Sequence, residues 1–362
     1  MTPMIFLTLL AGLTILTVGA EFLVRGASRL AALAGVSSLV IGLTVVAYGT
    51  SAPEFAVSMK SAIAGQSDIA LGNVVGSNIF NVLFILGLCA MILPLKVDSQ
   101  LVRMDVPIMI GISVLGFVLC LDGRIGRVDG FILASGAIGY TAFTVIKSRR
   151  ETKAIKAEFD QEYAVVQEHS PKTVAWNFLL LLIGLVLLVS GARMFVNSAI
   201  TVAEALGVSQ LVIGLTIVAA GTSLPEVATS VVATIRGERD IAIGNVVGSN
   251  IFNILSVLGF TAIVSPINVQ ASAIQFDLPV MIGVAIICLP IFFTGLLILR
   301  WEGAVFFGLY ILYTVYLVLH AGSSSSLPTY SKVVGLGVLP AVALLILGTA
   351  IYEFRQKPPK AA

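Results

Sequence analysis

The sequence predicts an all-α polytopic membrane protein. Two inverted five-helix repeats form a ten-helix core, an extra C-terminal helix follows, and the N-terminus lies outside. Three observations predict this fold. The composition is too apolar for a water-soluble particle, apolar runs recur along the whole chain, and one segment of 40 residues occurs twice.

The composition places most of the chain in lipid. Of the 362 residues, 58% are hydrophobic and only 11% are charged, whereas a typical soluble domain carries about 25% charged residues. The mean hydropathy of +1.04 agrees. A net charge of +2 gives no support for nucleic-acid binding, and the three cysteines, all within apolar runs, predict neither a disulfide framework nor a cofactor site.

Apolar runs of the length that crosses a bilayer, about 20 residues, occur eleven times. The first run precedes the first basic residues, Arg25 and Arg29, so we expect a retained helix there and not a cleaved signal peptide. The predicted spans are 4–24, 39–60, 70–93, 104–121, 128–146, 175–196, 210–235, 242–264, 277–299, 303–320 and 333–353.

The basic residues between these spans orient the protein. With the N-terminus outside, sixteen of the 21 Lys and Arg residues fall in segments on the inner side and four on the outer side. This bias follows the positive-inside rule. We therefore expect a multi-pass protein of the cell inner (plasma) membrane, in contact with the lipid bilayer, with its C-terminus inside.

The strongest internal feature is a repeat. Residues 42–81 and 214–253 align at a constant offset of 172 without a gap and are identical at 27 of 40 positions. Each copy covers the second and third helix of a five-helix half. Because five is odd, the two halves enter the membrane in opposite directions. This is the plan of secondary transporters, whose substrate site lies near the midplane.

The repeat divides the chain into four segments. The charged linker between the halves is expected to be solvated and cytoplasmic, and the stretch after the second half is rich in serine. The segments are a first half, 1–146; the linker, 147–174; a second half, 175–320; and 321–362, which holds the Ser-rich connector, the extra helix and a basic tail.

Each copy contains a proline inside a predicted span: residues 49–54 read GTSAPE and residues 221–226 read GTSLPE. Proline donates no amide hydrogen and clashes with the carbonyl four residues back, so the helix opens there. The hydroxyl and carboxylate side chains of each motif share one helix face. Together with loosened carbonyls they form an all-oxygen set, which hard cations such as Na+ and Ca2+ prefer. These side chains are Thr50, Ser51, Glu54, Thr222, Ser223 and Glu226.

A proline kink with a glutamate satisfied by a neighbouring helix is the simpler alternative for either copy alone. An ionisable residue at a helix centre costs roughly 2.5–3.5 kcal/mol on insertion scales. Because this cost recurs at symmetric positions, we interpret Glu54 and Glu226 as ion ligands.

The second repeated element is GNVVGSNIFN, identical at 72–81 and 244–253. Its polar residues stand four apart and form a stripe along one helix face. Hydrogen bonding between helices suffices to explain the first member of each stripe, Asn73 and Asn245. We expect ion contact for the deeper members, which are Ser77, Asn81, Ser249 and Asn253.

Glu21, Arg193 and Glu204 are charged residues near the ends of spans. None has a matching partner in the other half. Long charged side chains in such places reach the membrane interface, so we leave them out of the predicted site.

At these motifs the sequence resembles the cation/calcium antiporter superfamily, in particular the prokaryotic type of its sodium/calcium exchanger branch. The resemblance rests on GTSxPE and GNVVGSNIFN and extends as topology over residues 1–320. It implies four repeat helices around the ions, with the first helix of each half sliding past them. It also implies main-chain oxygen ligands near Ala47 and Ala219, in addition to the side chains named above.

Two sequence details select within this superfamily. The proton-coupled exchangers usually carry a GNxxE-type element, where this chain reads GNVVG in both copies, which favours Na+ as the driving ion. Some relatives have an aspartate at the position of Asn81 or Asn253. Asparagine at both leaves two formal carboxylates at the ions and, by the family's pattern, argues against potassium co-transport.

The expected function is therefore secondary active antiport of Na+ against Ca2+ by alternating access at a midplane two-carboxylate site. The alternative is an antiporter of Ca2+, or another cation, against H+ through the same glutamates. A channel would need no counter-ion, and the repeats lack the HExxH and GxSxG motifs of a membrane enzyme. No protein partner is predicted.

Overall fold

The computed structural model describes residues 3–159, 171–208 and 210–356. This part of the chain is almost entirely helical. Nine of its helices are long and apolar enough to cross a membrane, or ten when one bent pair counts as a single span. Each of the eleven predicted spans contains helix. The helices of the first half are α1 Pro3–Ala34, α2 Ser38–Thr50, α3 Ala52–Ile63, α4 Ser67–Ile92, α5 Leu101–Leu119 and α6 Arg127–Phe159.

The second half repeats this order of helices, and one helix follows it. The extra C-terminal helix, α13, packs beside α11 and α12. The helices are α7 Pro171–Ala205, α8 210–221, α9 Leu224–Ile235, α10 Arg239–Val264, α11 Ala273–Phe293, α12 Arg300–Ala321 and α13 Leu327–Glu353.

The two spans that contain the repeated proline are broken, as the sequence predicts. The span 39–60 consists of α2 and α3, which meet at Ser51 with a bend of 44°. The span 210–235 consists of α8 and α9, with Ser223 at the break. In both, proline occupies the first turn of the second helix, where its missing amide hydrogen costs nothing.

π-helical turns recur at matching positions in the two halves. Such turns are rare and are frequent at functional sites. One pair precedes the proline breaks, a second begins at the last asparagine of each stripe, and the third begins α5 and α11. The pairs are Gly42–Val46 with Gly214–Val218, Asn81–Leu86 with Asn253–Leu258, and Leu101–Asp105 with Ala273–Asp277.

The first helices of the two halves, α1 and α7, pack antiparallel with their backbones in contact. Glycines spaced seven residues apart allow this approach, as in other membrane helix pairs. A Cβ atom at Gly19 would lie 2.6 Å from the amide nitrogen of Leu188, and one at Gly191 would lie 2.5 Å from that of Leu16. α1 and α7 therefore form one unit beside the repeat helices.

The repeat helices α4 and α10 form the buried centre of the molecule. Two short antiparallel ribbons tie the halves together at opposite ends of the bundle. β1 (Leu95–Lys96) pairs with β4 (Leu297–Ile298), and β2 (Arg124–Ile125) pairs with β3 (Ile267–Asn268).

Helix extends into the predicted linker from both sides, because α6 ends at Phe159 and α7 begins at Pro171. The middle of that linker, 160–170, lies outside the described residues, as does the end of the basic tail, 357–362.

Candidate functional site

The two breaks place one carboxylate each near the centre of the bundle. Glu54 lies in the first turn of α3 and Glu226 in the first turn of α9. The free amides of a helix N-terminus favour negative charge nearby. Both side chains are 1% exposed.

Serines from the opposite half hold these carboxylates. Ser51 Oγ donates to Glu226 Oε1 at 2.9 Å, and Ser223 Oγ donates to Glu54 Oε1 at 2.8 Å. Ser77 adds a longer contact of 3.5 Å from its Oγ to the same Glu54 oxygen. The two shorter hydrogen bonds cross between the halves, so neither glutamate is positioned by its own half alone.

Several buried oxygens around this centre have no hydrogen-bond partner among the described residues. Leaving a buried acceptor without a donor costs about 1–3 kcal/mol, and more when it is charged. A cation coordinated by such an oxygen offsets this cost. The unpartnered atoms are Glu54 Oε2, Glu226 Oε2, Asn81 Oδ1, Asn253 Oδ1 and Ser249 Oγ.

Two asparagines that the sequence analysis passed over orient the amides of the stripe. Asn81 Nδ2 donates to Asn250 Oδ1 at 3.0 Å, and Asn253 Nδ2 donates to Asn78 Oδ1 at 3.0 Å. The side-chain nitrogens of Asn81 and Asn253 thus each donate to an asparagine of the opposite half. The Oδ1 oxygens of both residues remain without a donor among the described residues. Asn78 and Asn250 occupy the same position in the two copies of GNVVGSNIFN, and this recurrence was the sequence signal for their role.

The predicted threonines pair with the first residue of the opposite stripe. Thr50 Oγ1 donates to Asn245 Oδ1 at 3.0 Å, and Thr222 Oγ1 donates to Asn73 Oδ1 at 3.3 Å. The amides of these asparagines bond to the glutamate-bearing helices, with Asn73 Nδ2 at 2.9 Å from Ser58 Oγ. Asn73 and Asn245 therefore make the interhelical hydrogen bonds expected of them.

The two predicted main-chain ligands lie shortly before the breaks. The carbonyl oxygen of Ala47 accepts from the amide of Ser51 at 3.0 Å, just before the break. Ala219 lies at the corresponding place in α8, and its side chain is outside the described part of the chain.

A cavity of about 470 Å³ leads to this centre from one end of the bundle. Its walls come from α3, α4, α8, α11 and α12, and its lining includes Ser77, which contacts Glu54. At this end of the bundle a Cβ atom at Gly72, Gly76 or Gly214 would meet no described atom of another element within 4 Å.

The corresponding place at the other end is closed. A Cβ atom at Gly248 would lie 2.5 Å from the carbonyl oxygen of Leu43, and one at Gly244 would lie 2.8 Å from that of Leu39. α2 and α10 thus pack backbone to backbone where α8 and α4 stand apart. The arrangement gives access to the centre from one end.

Known proteins are similar to this chain in sequence and in fold. Residues 4–146 and 176–319 match the family described as sodium/calcium exchanger protein. The sodium/calcium exchanger MaX1 of Methanosarcina acetivorans is 35% identical over 342 residues, 86% of this chain and 98% of MaX1. The inner membrane protein YrbG of Escherichia coli is 39% identical over 280 residues, 77% of this chain and 86% of YrbG.

The solved structures agree. A structure of the sodium-calcium exchanger NCX_Mj, soaked with zero Na+ and Ca2+, matches with a TM-score of 0.75 and 32% identity and covers 88% of this chain and 100% of that one. With two inverted halves and access from one end, this multi-pass membrane protein has the architecture of a transporter and not of an enzyme. The chain belongs to the sodium/calcium exchanger family and is a cation/calcium antiporter.

Proposed function

We propose that this protein exchanges Na+ for Ca2+ across the cell inner (plasma) membrane by alternating access at the centre that holds Glu54 and Glu226. The name of the relative YrbG, an inner membrane protein, supports this location. With the N-terminus outside, the open cavity faces the outer side.

One observation carries the proposal: two buried carboxylates face each other across the halves, and each keeps one oxygen without a donor among the described residues. Burying an ion without a partner is costly by several kcal/mol. Two negative charges balance one Ca2+, which takes about six to eight oxygen ligands. The proposed ligands are Glu54, Glu226, Thr50, Ser51, Thr222, Ser223, Ser77, Asn81, Ser249 and Asn253, with main-chain oxygens near Ala47 and Ala219.

The donor set supports Na+ as the counter-ion. The position that carries a glutamate in the proton-coupled branch is Gly76 in one half and Gly248 in the other. Gly248 lies against the backbone of Leu43, where a Cβ atom would already be too close. The additional glutamate of the proton-coupled pattern therefore does not fit this closed contact, which favours Na+ over H+ as the counter-ion.

The charge of the site predicts the energetics. By resemblance to the family, three Na+ replace one Ca2+, so each cycle moves one net charge. A unit charge crossing the membrane is worth about 2.3 kcal/mol per 100 mV. The membrane potential then contributes to calcium export.

The test is 45Ca2+ uptake into proteoliposomes loaded with Na+, compared with vesicles that hold choline or carry only a pH gradient. We expect uptake that needs internal Na+. An inside-positive potential, set by valinomycin with K+ outside, should accelerate it, since more positive charge leaves than enters.

Uptake driven by a pH gradient without Na+ would move the protein to the proton-coupled alternative. Uptake that requires Na+ but does not depend on the membrane potential would support Na+/Ca2+ exchange and contradict the three-for-one stoichiometry.

A further inference from the structure

The repeat extends beyond the two motifs to a pair of aspartates that the proposed site does not use. Residues 105–111 read DVPIMIG and residues 277–283 read DLPVMIG, again at an offset of 172. Asp105 and Asp277 end the π-helical turns that begin α5 and α11. Both lie about one turn inside an apolar span, where a carboxylate is costly.

The two aspartates have different surroundings. Asp105 is fully buried, and both of its oxygens accept hydrogen bonds, from Tyr140 OH at 3.0 Å and from Gln100 Nε2 at 3.1 Å. Lys147 and Asp98 are the charged groups that act on it.

Asp277 instead lines the open cavity. It is half-buried, and its one described hydrogen bond is a long contact of 3.5 Å from Tyr313 OH to Oδ1. Besides Tyr313, the titratable side chain of another helix that faces it is His320 on α12. The same cavity is lined by Asn73, Ser77 and Thr222, so the cavity connects this carboxylate with the residue that touches Glu54.

We propose that Asp277 and Asp105 are alternating entrance sites for the transported cation, one for each face of the membrane. In this conformation Asp277 collects Na+ or Ca2+ in the open cavity, while Asp105 is sealed by Gln100 and Tyr140. When the access switches, Asp105 lines the inner cavity and Asp277 is sealed against Tyr313. The inference rests on the proposed cation exchange at Glu54 and Glu226.

The physical effect is on capture and not on turnover. A carboxylate in a cleft with low-dielectric walls raises the local cation concentration and the association rate. Its removal should raise the half-saturating concentration of cation at one face and leave the maximal rate in place. Because the effect is electrostatic, added salt should weaken it.

The experiment measures Na+-driven 45Ca2+ uptake in right-side-out and everted membrane vesicles that hold the full-length protein. Asp277→Asn should raise the half-saturating Ca2+ about three- to tenfold when Ca2+ is presented at the face where the cavity opens, and leave the other face unchanged. Asp277→Glu should keep the wild-type value, and choline chloride should shrink the difference. Asp122→Asn, which removes an exposed outer carboxylate outside the cavity lining, is the matched control.

Asp105→Asn should raise the half-saturating Ca2+ at the opposite face only. Because this variant also alters a buried hydrogen-bonded group, Asp277→Asn is the deciding test. An unchanged half-saturating Ca2+ in Asp277→Asn, or an equal change at both faces, would overturn the inference while wild-type exchange persists. Loss of Na+-driven uptake in the wild type would instead count against the proposed function.

Discussion

Two identical ten-residue segments, 72–81 and 244–253, lie in different surroundings in this molecule. In the second copy Gly244, Asn245 and Gly248 are all buried against α2. In the first copy the equivalent Gly72 is exposed, and Asn73 and Gly76 are half-buried along the open cavity. One sequence therefore serves as a closed contact in one half and as a cavity wall in the other.

The repeated sequence therefore specifies the residues of the site, but it does not specify which end of the site is open. The deeper residues of both copies, from the serine to the last asparagine, are buried alike and meet across the two-fold relation. Only the outer turns differ. We infer that the site opens to the other face when these two contacts exchange. In that state α4 packs on α8, and α10 separates from α2.

The largest expected effect comes from the residues in which the halves are equivalent. Glu54→Gln and Glu226→Gln should each reduce Na+-driven Ca2+ uptake at least about a hundredfold, because removing one member of a buried charged set costs about 3–5 kcal/mol. Proteoliposome uptake at equal protein incorporation measures this. Glu204→Gln, at the exposed end of α7, is the control and should keep its activity.

Losses of similar size in the two variants would support equal roles for the halves. Full transport in both variants would contradict a two-carboxylate site. A large loss in only one variant would show that the halves are not equivalent in ion binding.

How much of this site could be read from the sequence depends on where the contacts run. The glutamates, serines and stripe residues could be predicted from the two motifs, because proline and helical spacing act locally. The recurrence of the motif in both copies then distinguished the glutamates from a simple proline kink. The roles of Asn78 and Asn250 did not, because their hydrogen bonds cross between copies. The open and closed ends could not be predicted either, because the two copies are identical there.

The glycine positions should separate the two states with opposite signs. A methyl group at Gly248 would overlap the backbone of Leu43, so Gly248→Ala should destabilise this conformation by about 1–3 kcal/mol, the usual cost of overpacking. Gly76→Ala fits this conformation and should oppose the one in which its cavity closes. Exchange should fall in both, with opposite shifts in the population of states.

Labelling by a membrane-impermeant maleimide at Val218→Cys measures that population, because Val218 lines the open cavity and is 47% exposed. The native cysteines are buried and give a low background. We expect faster labelling with Gly76→Ala and slower labelling with Gly248→Ala. Gly139→Ala, where a Cβ atom would meet no described atom within 4 Å, should change nothing. Shifts in the same direction in both glycine variants would contradict the inference that the open and closed contacts exchange between the two states.

An ion pair between the halves that has no symmetric counterpart should have a smaller effect. Glu21 of α1 accepts from Arg236, in the turn between α9 and α10, with Nη2 at 2.6 Å from Oε1 and Nε at 2.9 Å from Oε2, and it also pairs with Arg25. From its place near the end of a span, Glu21 is expected to reach the membrane interface. The pair with Arg236 is not evident from the sequence because the two residues are more than 200 positions apart. At an offset of 172 the equivalents of Glu21 and Arg236 are Arg193 and Ala64, which cannot form such a pair.

This pair should therefore favour the present conformation over its counterpart. It is partly exposed, so its contribution is at most about 1 kcal/mol, or roughly a fivefold shift in population. Arg236→Ala should slow labelling of Val218→Cys by up to that factor at low ionic strength, and high salt should shrink the difference. Arg239→Ala, a neighbouring arginine, is the control. Unchanged labelling at low salt would mean that the glycine contacts and the site alone set the balance between the two states.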